Sequence, residues 1–327
     1  MTRLNVLTTR LFPKFQGADR YELSGIAKRC DWVVSTDRSE PCFHVFKQSA
    51  GQPTTIFLSL RCHEVALRHF CNVVLKELTE PFVLISGSED VTLPHQQDVR
   101  WKPLDAELQA CVRKIHDHPG LVRWFVENLD DATFRKMTPF PLGLVLTDAP
   151  KIRERIDVPE VSRLQDRPLK ALCGHRVREG GQWDLRKHVS DLAQSSWSGF
   201  VNILADEVAE ADFLSLVREH AFVICAEGGG HDPSPKAWQT ILNGAIPIIR
   251  RTALAPAYEH LPVLFVDEWE PSSLSPEILL QARDSLAPFF DDADQRAEVL
   301  QRLGLDYWWS QITAAIPAED RVATPVA

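Results

Sequence analysis

Residues 222–249 read FVICAEGGGHDPSPKAWQTILNGAIPII. The stretch is an apolar run, a glycine turn, a helix-forming segment and a second apolar run, without interruption. Phe222 to Cys225 is short, apolar and β-branched, as a buried parallel strand requires. Gly228, Gly229 and Gly230 follow, and a chain without side chains can approach a ligand closely. Asp232 and Ser234 are N-cap residue types and Pro235 suits a first helical turn. The spacing therefore predicts a helix over Lys236 to Leu242, stopped at Asn243-Gly244. Together these elements form a βαβ unit. Its ligand-facing end would carry the glycines, the free amides of a helix start and the Lys236 ammonium, a combination that suits an anion.

Working outward, the first half alternates strand-like and helix-like segments. Leu4 to Thr8, Trp32 to Ser35, Thr55 to Leu60 and Phe82 to Ser86 read as short strands. Arg61 to Leu78 carries Val65, Leu67, Phe70, Val74 and Leu78 near helical spacing. Alternation of this kind predicts a parallel sheet covered by helices, with ligands beyond the carboxyl ends of the strands. Asp37, after the second strand, and Asp90, after the fourth, stand where such a ligand would lie. A polar, proline-bearing stretch from Thr147 to Pro168 has the composition of a linker, with a local helical turn expected at Ile152 to Ile156. Strand-like Leu169 to Cys173 opens the second half, followed by a turn rich in Arg176, Arg178, Arg186 and Lys187. Arg176, nearest the strand end, is the best placed of these to meet phosphate oxygens. Val263 to Val266 reads as another strand. The chain then ends in an amphipathic helix near Pro288 to Leu303 and the aromatic cluster Tyr307, Trp308 and Trp309.

The 222–249 stretch resembles the donor-binding signature of exostosin-like glycosyltransferases, which adopt the two-domain GT-B fold. Gly228, Gly230, Asp232, Lys236, Trp238 and the G-A-I-P-I of Gly244 to Ile248 carry the likeness. LPVLFVDEW at 261–269 matches what that family shows after its G-x-I-P strand, so the resemblance spans roughly residues 169 to 270. A second likeness lies in His118 to Leu144, where Trp124, Phe125 and Asn128 precede a K-x-x-P-x-P-x-G-L run. There a helix is expected to place the two aromatic rings near the sheet. The resemblance implies an α/β chain of two Rossmann-like domains facing a cleft, an acceptor-side domain over 1–150 and a donor-binding domain over 165–304. It also implies a segment over 305–327 packing back on the first domain. A basic residue at the helix start, here Lys236, would meet the nucleotide diphosphate. The family's acidic ribose contact falls on Gln239, an amide that can still hydrogen-bond a hydroxyl. Donor contacts would thus come from Arg176, Gly228, Gly229, Gly230, Asp232, Ser234, Lys236 and Gln239. Inverting transfer would also need a base in the first domain. Asp37 and Asp90 are the candidates.

Composition bounds the rest. The 327 residues allow about two domains, and 36 Lys plus Arg against 45 Asp plus Glu give a net charge of −9, which argues against nucleic acid as a general partner. The N-terminus lacks a signal-like apolar core, and no run spans a bilayer. Seven scattered cysteines suit free thiols in a reducing compartment, so a cytoplasmic location is expected. Neither a P-loop, a G-x-G-x-x-G fingerprint nor a G-x-S-x-G elbow occurs. Cys62, His63, His69 and Cys71 lie around one helix at no zinc spacing, so no metal is expected. The function the resemblance implies is sugar transfer from a nucleotide-activated donor to a glycan or glycolipid acceptor, without cofactor or metal. The alternatives are a non-catalytic nucleotide- or sugar-binding protein, or another α/β sugar-nucleotide enzyme.

Overall fold

The computed structural model describes residues 3–39, 42–148 and 151–317. The last ten positions of the expected 305–327 segment lie outside the described residues. The chain divides into two compact units. One runs from Asn5 to Glu154 and takes back the chain from Gly304 onward; the other runs from Arg155 to Leu303 together with the chain up to Leu4.

The Asn5–Glu154 unit is built on a six-stranded sheet. Its strands are β1 (Trp32–Thr36), β2 (Phe43–Lys47), β3 (Thr55–Ser59), β4 (Phe82–Gly87), β5 (Leu121–Val126) and β6 (Met137–Pro139), in the order β2-β1-β3-β4-β5-β6. All neighbours are parallel except the β1/β2 pair. Strands β1, β3 and β4 are buried at every residue, as continuous apolar runs in a helix-covered sheet must be. β2 lies at the edge and is half-exposed. The expected helix after β3 forms as His63–His69, a π-helical stretch Phe70–Val74 and Leu75–Glu77. The C-terminal helix Leu305–Ala315 belongs to this unit, and Trp308 packs edge-on against Phe140 with centroids 5.3 Å apart.

The Arg155–Leu303 unit holds a five-stranded, wholly parallel sheet: β7 (Ala171–Cys173), β8 (Val201–Ile203), β9 (Phe222–Ile224), β10 (Ile246–Arg250) and β11 (Leu264–Val266), ordered β8-β7-β9-β10-β11. This is the 2-1-3-4-5 order of doubly wound α/β folds. The helix between β9 and β10 spans Lys236–Leu242. It stops where expected, because Gly244 sits at φ +77°, a conformation that closes a helix at little cost only for glycine.

Four expectations change. Arg3–Asn5 is a strand outside both large sheets, and Val6 and Thr8 make only isolated bridges to Gly304 and Gly143. Trp124 and Phe125 lie on strand β5 rather than a helix, though both are buried as core residues. A six-residue apolar run fits either period, and the β-branched and aromatic residues of LVRWFV favour the pleated one. Residues 155–157 form a strand, so no helical turn occurs at Ile152 to Ile156. Finally, neither Asp232 nor Ser234 caps the Lys236–Leu242 helix; its N-cap position is Pro235 and no side chain bonds its first amides.

Candidate functional site

In a 2-1-3-4-5 sheet the direction of winding reverses between the first and third strands, and ligands bind beyond their carboxyl ends. In the Arg155–Leu303 unit those strands are β7 and β9. Cys173 ends β7 and is followed by Gly174 and His175; Ile224 ends β9 and is followed by Cys225 to Gly230. The switch point therefore holds the glycine turn.

Lys236 reaches into this place from the following helix. Its ammonium donates to the Gly174 carbonyl at 2.8 Å, and no described carboxylate pairs with it. Burial, together with the positive charge of Arg186, pushes it down to about 8, although the Cys225 and Cys173 thiols work the other way. Burial and the nearby Lys236 push His175 down to about 3, so its ring is neutral at physiological pH. His175 Nε2 lies 2.8 Å from the Arg186 carbonyl, which can only accept, so that nitrogen carries the proton. At seven residues the helix that bears Lys236 is under two turns long. That is too short for the helix-start anion site expected of it, and the positive field comes from side chains instead.

Arg186 is the second cation. It projects from the helix Asp184–Gln194 and donates from Nε to the Glu227 carbonyl at 3.0 Å. A Cβ on Gly228 would meet the Arg186 guanidinium at 2.7 Å, so this glycine is what lets the cation lie against the turn. Glu227 is itself buried, accepting from Arg250 Nε at 2.7 Å and Trp269 Nε1 at 3.2 Å. The turn is thus anchored at its base by an ion pair, while Gly228, Gly229 and Gly230 stay half-exposed.

The other expected donor residues take different positions. Arg176 is exposed and pairs with Glu207 at 3.1 Å, and Arg186 occupies the place beside the glycines. Asp232 accepts from the Tyr258 hydroxyl at 2.5 Å and from the Ser234 amide at 2.7 Å; the Ser234 hydroxyl also meets Tyr258 at 2.9 Å. The pair hold the loop between turn and helix. Burial, then the Asp232 charge, keeps Tyr258 well above its ordinary pKa and hence a donor. The Gln239 amide donates to Glu210 at 2.9 Å. Trp238 is core: it is fully buried, its Nε1 donating to the Leu303 carbonyl at 3.0 Å.

The Asn5–Glu154 unit carries its polar groups at the same edge of its sheet. Asp37 follows β1 and is fully buried. It accepts from the Tyr21 hydroxyl, from the Phe15 amide at 3.0 Å and from the Ser39 amide at 2.8 Å. Burial alone would raise Asp37, but those hydrogen bonds outweigh it and hold the carboxyl below its usual value. Asp90 follows β4 and pairs with both Arg10 and Arg100. There the two guanidinium groups overcome burial and hold the carboxyl far below the carboxylate range. A carboxylate stabilised in this way is a weak base. Asn128 is buried at the end of β5, its amide donating to the Glu89 carbonyl at 3.4 Å.

Reading the sequence missed Glu227 and Arg250, and named Arg186 only among the cations of its turn, behind Arg176. Glu227 directly precedes the glycines and Arg250 ends a predicted strand, so the strand-end rule alone would have found both.

No family model matches the sequence, and no curated protein does. Solved structures similar to this chain include a UDP-forming α,α-trehalose-phosphate synthase from Burkholderia xenovorans, 10% identical over 82% of this chain and 74% of that one, with a TM-score of 0.45. The catalytic domain of starch synthase IV from Arabidopsis thaliana, bound to ADP and acarbose, is 10% identical over 82% and 74%, with a TM-score of 0.37. A spinosyn rhamnosyltransferase complexed with thymidine diphosphate is 13% identical over 80% and 70%, with a TM-score of 0.35. At such identities and scores none of their ligands or substrates carries over to this chain. Among the described residues no helix is long and apolar enough to cross a membrane.

Proposed function

We propose that this chain is a glycosyltransferase of the exostosin-like, GT-B type, moving a sugar from a nucleotide-activated donor to a glycan or glycolipid acceptor. The observation that carries the reading is Lys236. A half-buried ammonium that no described carboxylate pairs with stands at the switch point of a doubly wound sheet, beside a glycine turn on which Arg186 lies. Two fixed cations at that place oppose the charge that grows on a departing nucleoside diphosphate or monophosphate, with no need for a metal. Gln239 would meet the ribose together with Glu210, whose carboxylate supplies the charged acceptor that an amide lacks. Gly229 and Gly230 would lie along the phosphates, with Asp232 and Ser234 holding that loop in place. Arg176, on this reading, is a peripheral contact at most.

Transfer with inversion is part of the same proposal, with Asp90 or Asp37 as the base. Of the two, Asp90 keeps some exposure and can meet an acceptor hydroxyl, whereas Asp37 is closed off. A cytoplasmic place is also proposed, supported by seven free cysteines.

One observation favours a second reading. Both candidate bases are held in their ionised, weakly basic form by the partners that surround them. A nucleotide-binding protein without catalysis would tolerate that arrangement. A panel of nucleotide sugars screened by thermal shift on the full chain, followed by turnover assays on those that bind, separates the readings. Stabilisation by one nucleotide sugar with release of its nucleotide and a glycosylated product supports the transferase. Stabilisation without turnover on any acceptor supports the binding protein, and no stabilisation by any nucleotide overturns both.

A further inference from the structure

The Asn5–Glu154 unit carries a second set of cations whose hydrogen-bonding capacity its own carboxylates do not fill. Arg10 is 8% exposed and Arg61 2%, so both guanidinium groups are out of water. Arg10 gives its Nη2 to Asp90 and Glu127, while its Nη1 has no acceptor among the described residues. Arg61 gives Nη1 to Glu89 at 3.3 Å and Nη2 to the Ser88 hydroxyl at 3.2 Å and the Leu11 carbonyl at 3.3 Å, while its Nε has no acceptor among those residues. Buried donors of this kind nearly always find a partner.

The carboxylates nearby are shared rather than spare. Glu89 serves Arg38 as well as Arg61, and Asp90 serves Arg100 as well as Arg10. Lys14 adds a third charge. Its ammonium is half-buried, lies 5.1 Å over the Phe12 ring and makes no hydrogen bond or ion pair to any described residue. Burial, then the positive charges of Arg61 and Arg10, pushes Lys14 down to about 8, although Glu89 and Asp90 work the other way.

The backbone around them is held in unusual form. Ser88 and Phe15 sit at φ +73° and +62°, a region that non-glycine residues enter only when their surroundings impose it. Here the Ser88 amide donates to Glu127 at 2.8 Å and the Phe15 amide to Asp37 at 3.0 Å. The Phe15 ring, next to Lys14 in the chain, is 59% exposed and offers an apolar face to a sugar ring.

We propose that Arg10, Arg61 and Lys14 form a binding site for an anionic group, a carboxylate or a phosphate, carried by the acceptor. The acceptor part of this statement rests on the transferase reading; the anion site stands on the unfilled donors. It sits at the first-to-third-strand switch point of its own sheet, where β1 ends before Asp37 and β3 ends before Arg61.

The test is calorimetric titration of the full chain with inorganic phosphate, D-glucuronate and neutral glucose, and separately with UDP. Lys14 makes no hydrogen bond to a described residue, so Lys14→Ala should melt like the parent. The expected result is phosphate or glucuronate binding that weakens at least tenfold in Lys14→Ala, returns in Lys14→Arg and survives in Lys236→Ala. Binding of UDP should show the reverse pattern. Phosphate alone identifies a phosphorylated acceptor, glucuronate alone an acidic sugar; both support the site. The proposal is overturned if neither anion binds better than glucose, or if anion binding is unchanged in Lys14→Ala. Failure of UDP to bind while the Lys14-dependent anion still does would sink the transferase reading and leave the anion site standing.

Discussion

Gln239 and Glu210 are joined by a hydrogen bond of 2.9 Å from amide to carboxylate, across the two helices Lys236–Leu242 and Glu210–Glu219. The family resemblance alone would have Gln239→Glu tolerated or improved, because it restores an acidic ribose contact. The observed pair reverses that expectation. Gln239→Glu sets two carboxylates within hydrogen-bond distance and should weaken UDP binding. Gln239→Ala should cost about 1 kcal/mol, the scale of one neutral hydrogen bond. Calorimetry on both single variants, Glu210→Ala and the double Ala variant completes the cycle. Parent-like UDP affinity in all three Ala variants would separate the pair from the nucleotide, and a coupling of zero would mean that the two side chains act independently.

Removing the Lys236 charge should have a larger effect. A hydrogen bond to a charged group contributes about 2 kcal/mol, so Lys236→Ala should raise the Kd for UDP on the order of 30-fold. The fold should persist, since the side chain makes one hydrogen bond, to the Gly174 carbonyl. Parent-like affinity in a variant with parent-like melting would remove Lys236 from the site.

The depressed Lys236 pKa gives a pH signature. Phosphate favours the ammonium form, and the free protein loses that form as pH rises through about 8. Affinity for UDP should be flat between about pH 7 and 7.5 and fall by up to tenfold per unit above about 8, for one proton. Stability should move the other way. The unfolded lysine titrates near its ordinary 10.5, so between the two values the unfolded chain binds more protons than the folded one and this group's contribution to stability rises with pH. Both slopes should vanish in Lys236→Ala, and either surviving intact would assign the titration to another group.

Two glycines should respond differently to alanine. At Gly228 the new methyl meets the far end of the Arg186 side chain, which can move aside, so melting should hardly change while UDP binding weakens. At Gly244 the methyl meets the Arg167 guanidinium at 2.6 Å and Val161 at 2.8 Å, in a backbone at φ +77°. Arg167 is buried and its NH2 donates to the Asn243 and Ser162 carbonyls. Gly244→Ala should therefore lower stability by more than about 1 kcal/mol, read as a fall in the urea midpoint. Equal melting of the two variants would contradict this contrast.

What could be read from the sequence was local. Strand, turn, helix and strand over 222–249 lie next to one another in the chain, and the structure places them within a residue or two of expectation. The sequence favoured Arg176, whereas Arg186 is the one that lies against Gly228, and both belong to one polar stretch. Which guanidinium meets Gly228 depends on how the Asp184–Gln194 helix is turned, and that is set by packing. Asp232 read as a cap because its partner, Tyr258, is 26 residues away. The Arg10 network was invisible for the same reason, since Glu127 and Asp90 reach it only once the strand ends are brought together.

The return of the chain at Gly304 sets an order of events at the ribosome. Everything from Arg155 to Leu303 is synthesised before the residues of the helix Leu305–Ala315. Until then Phe140 lacks its Trp308 partner, and Asn5 lacks the Asp306 carboxylate that its amide reaches at 2.8 Å. The Asn5–Glu154 unit is therefore completed only after the chain of the Arg155–Leu303 unit. A stop codon placed after Leu303 would leave the proposed nucleotide site whole in sequence while stripping the other unit of its closing helix.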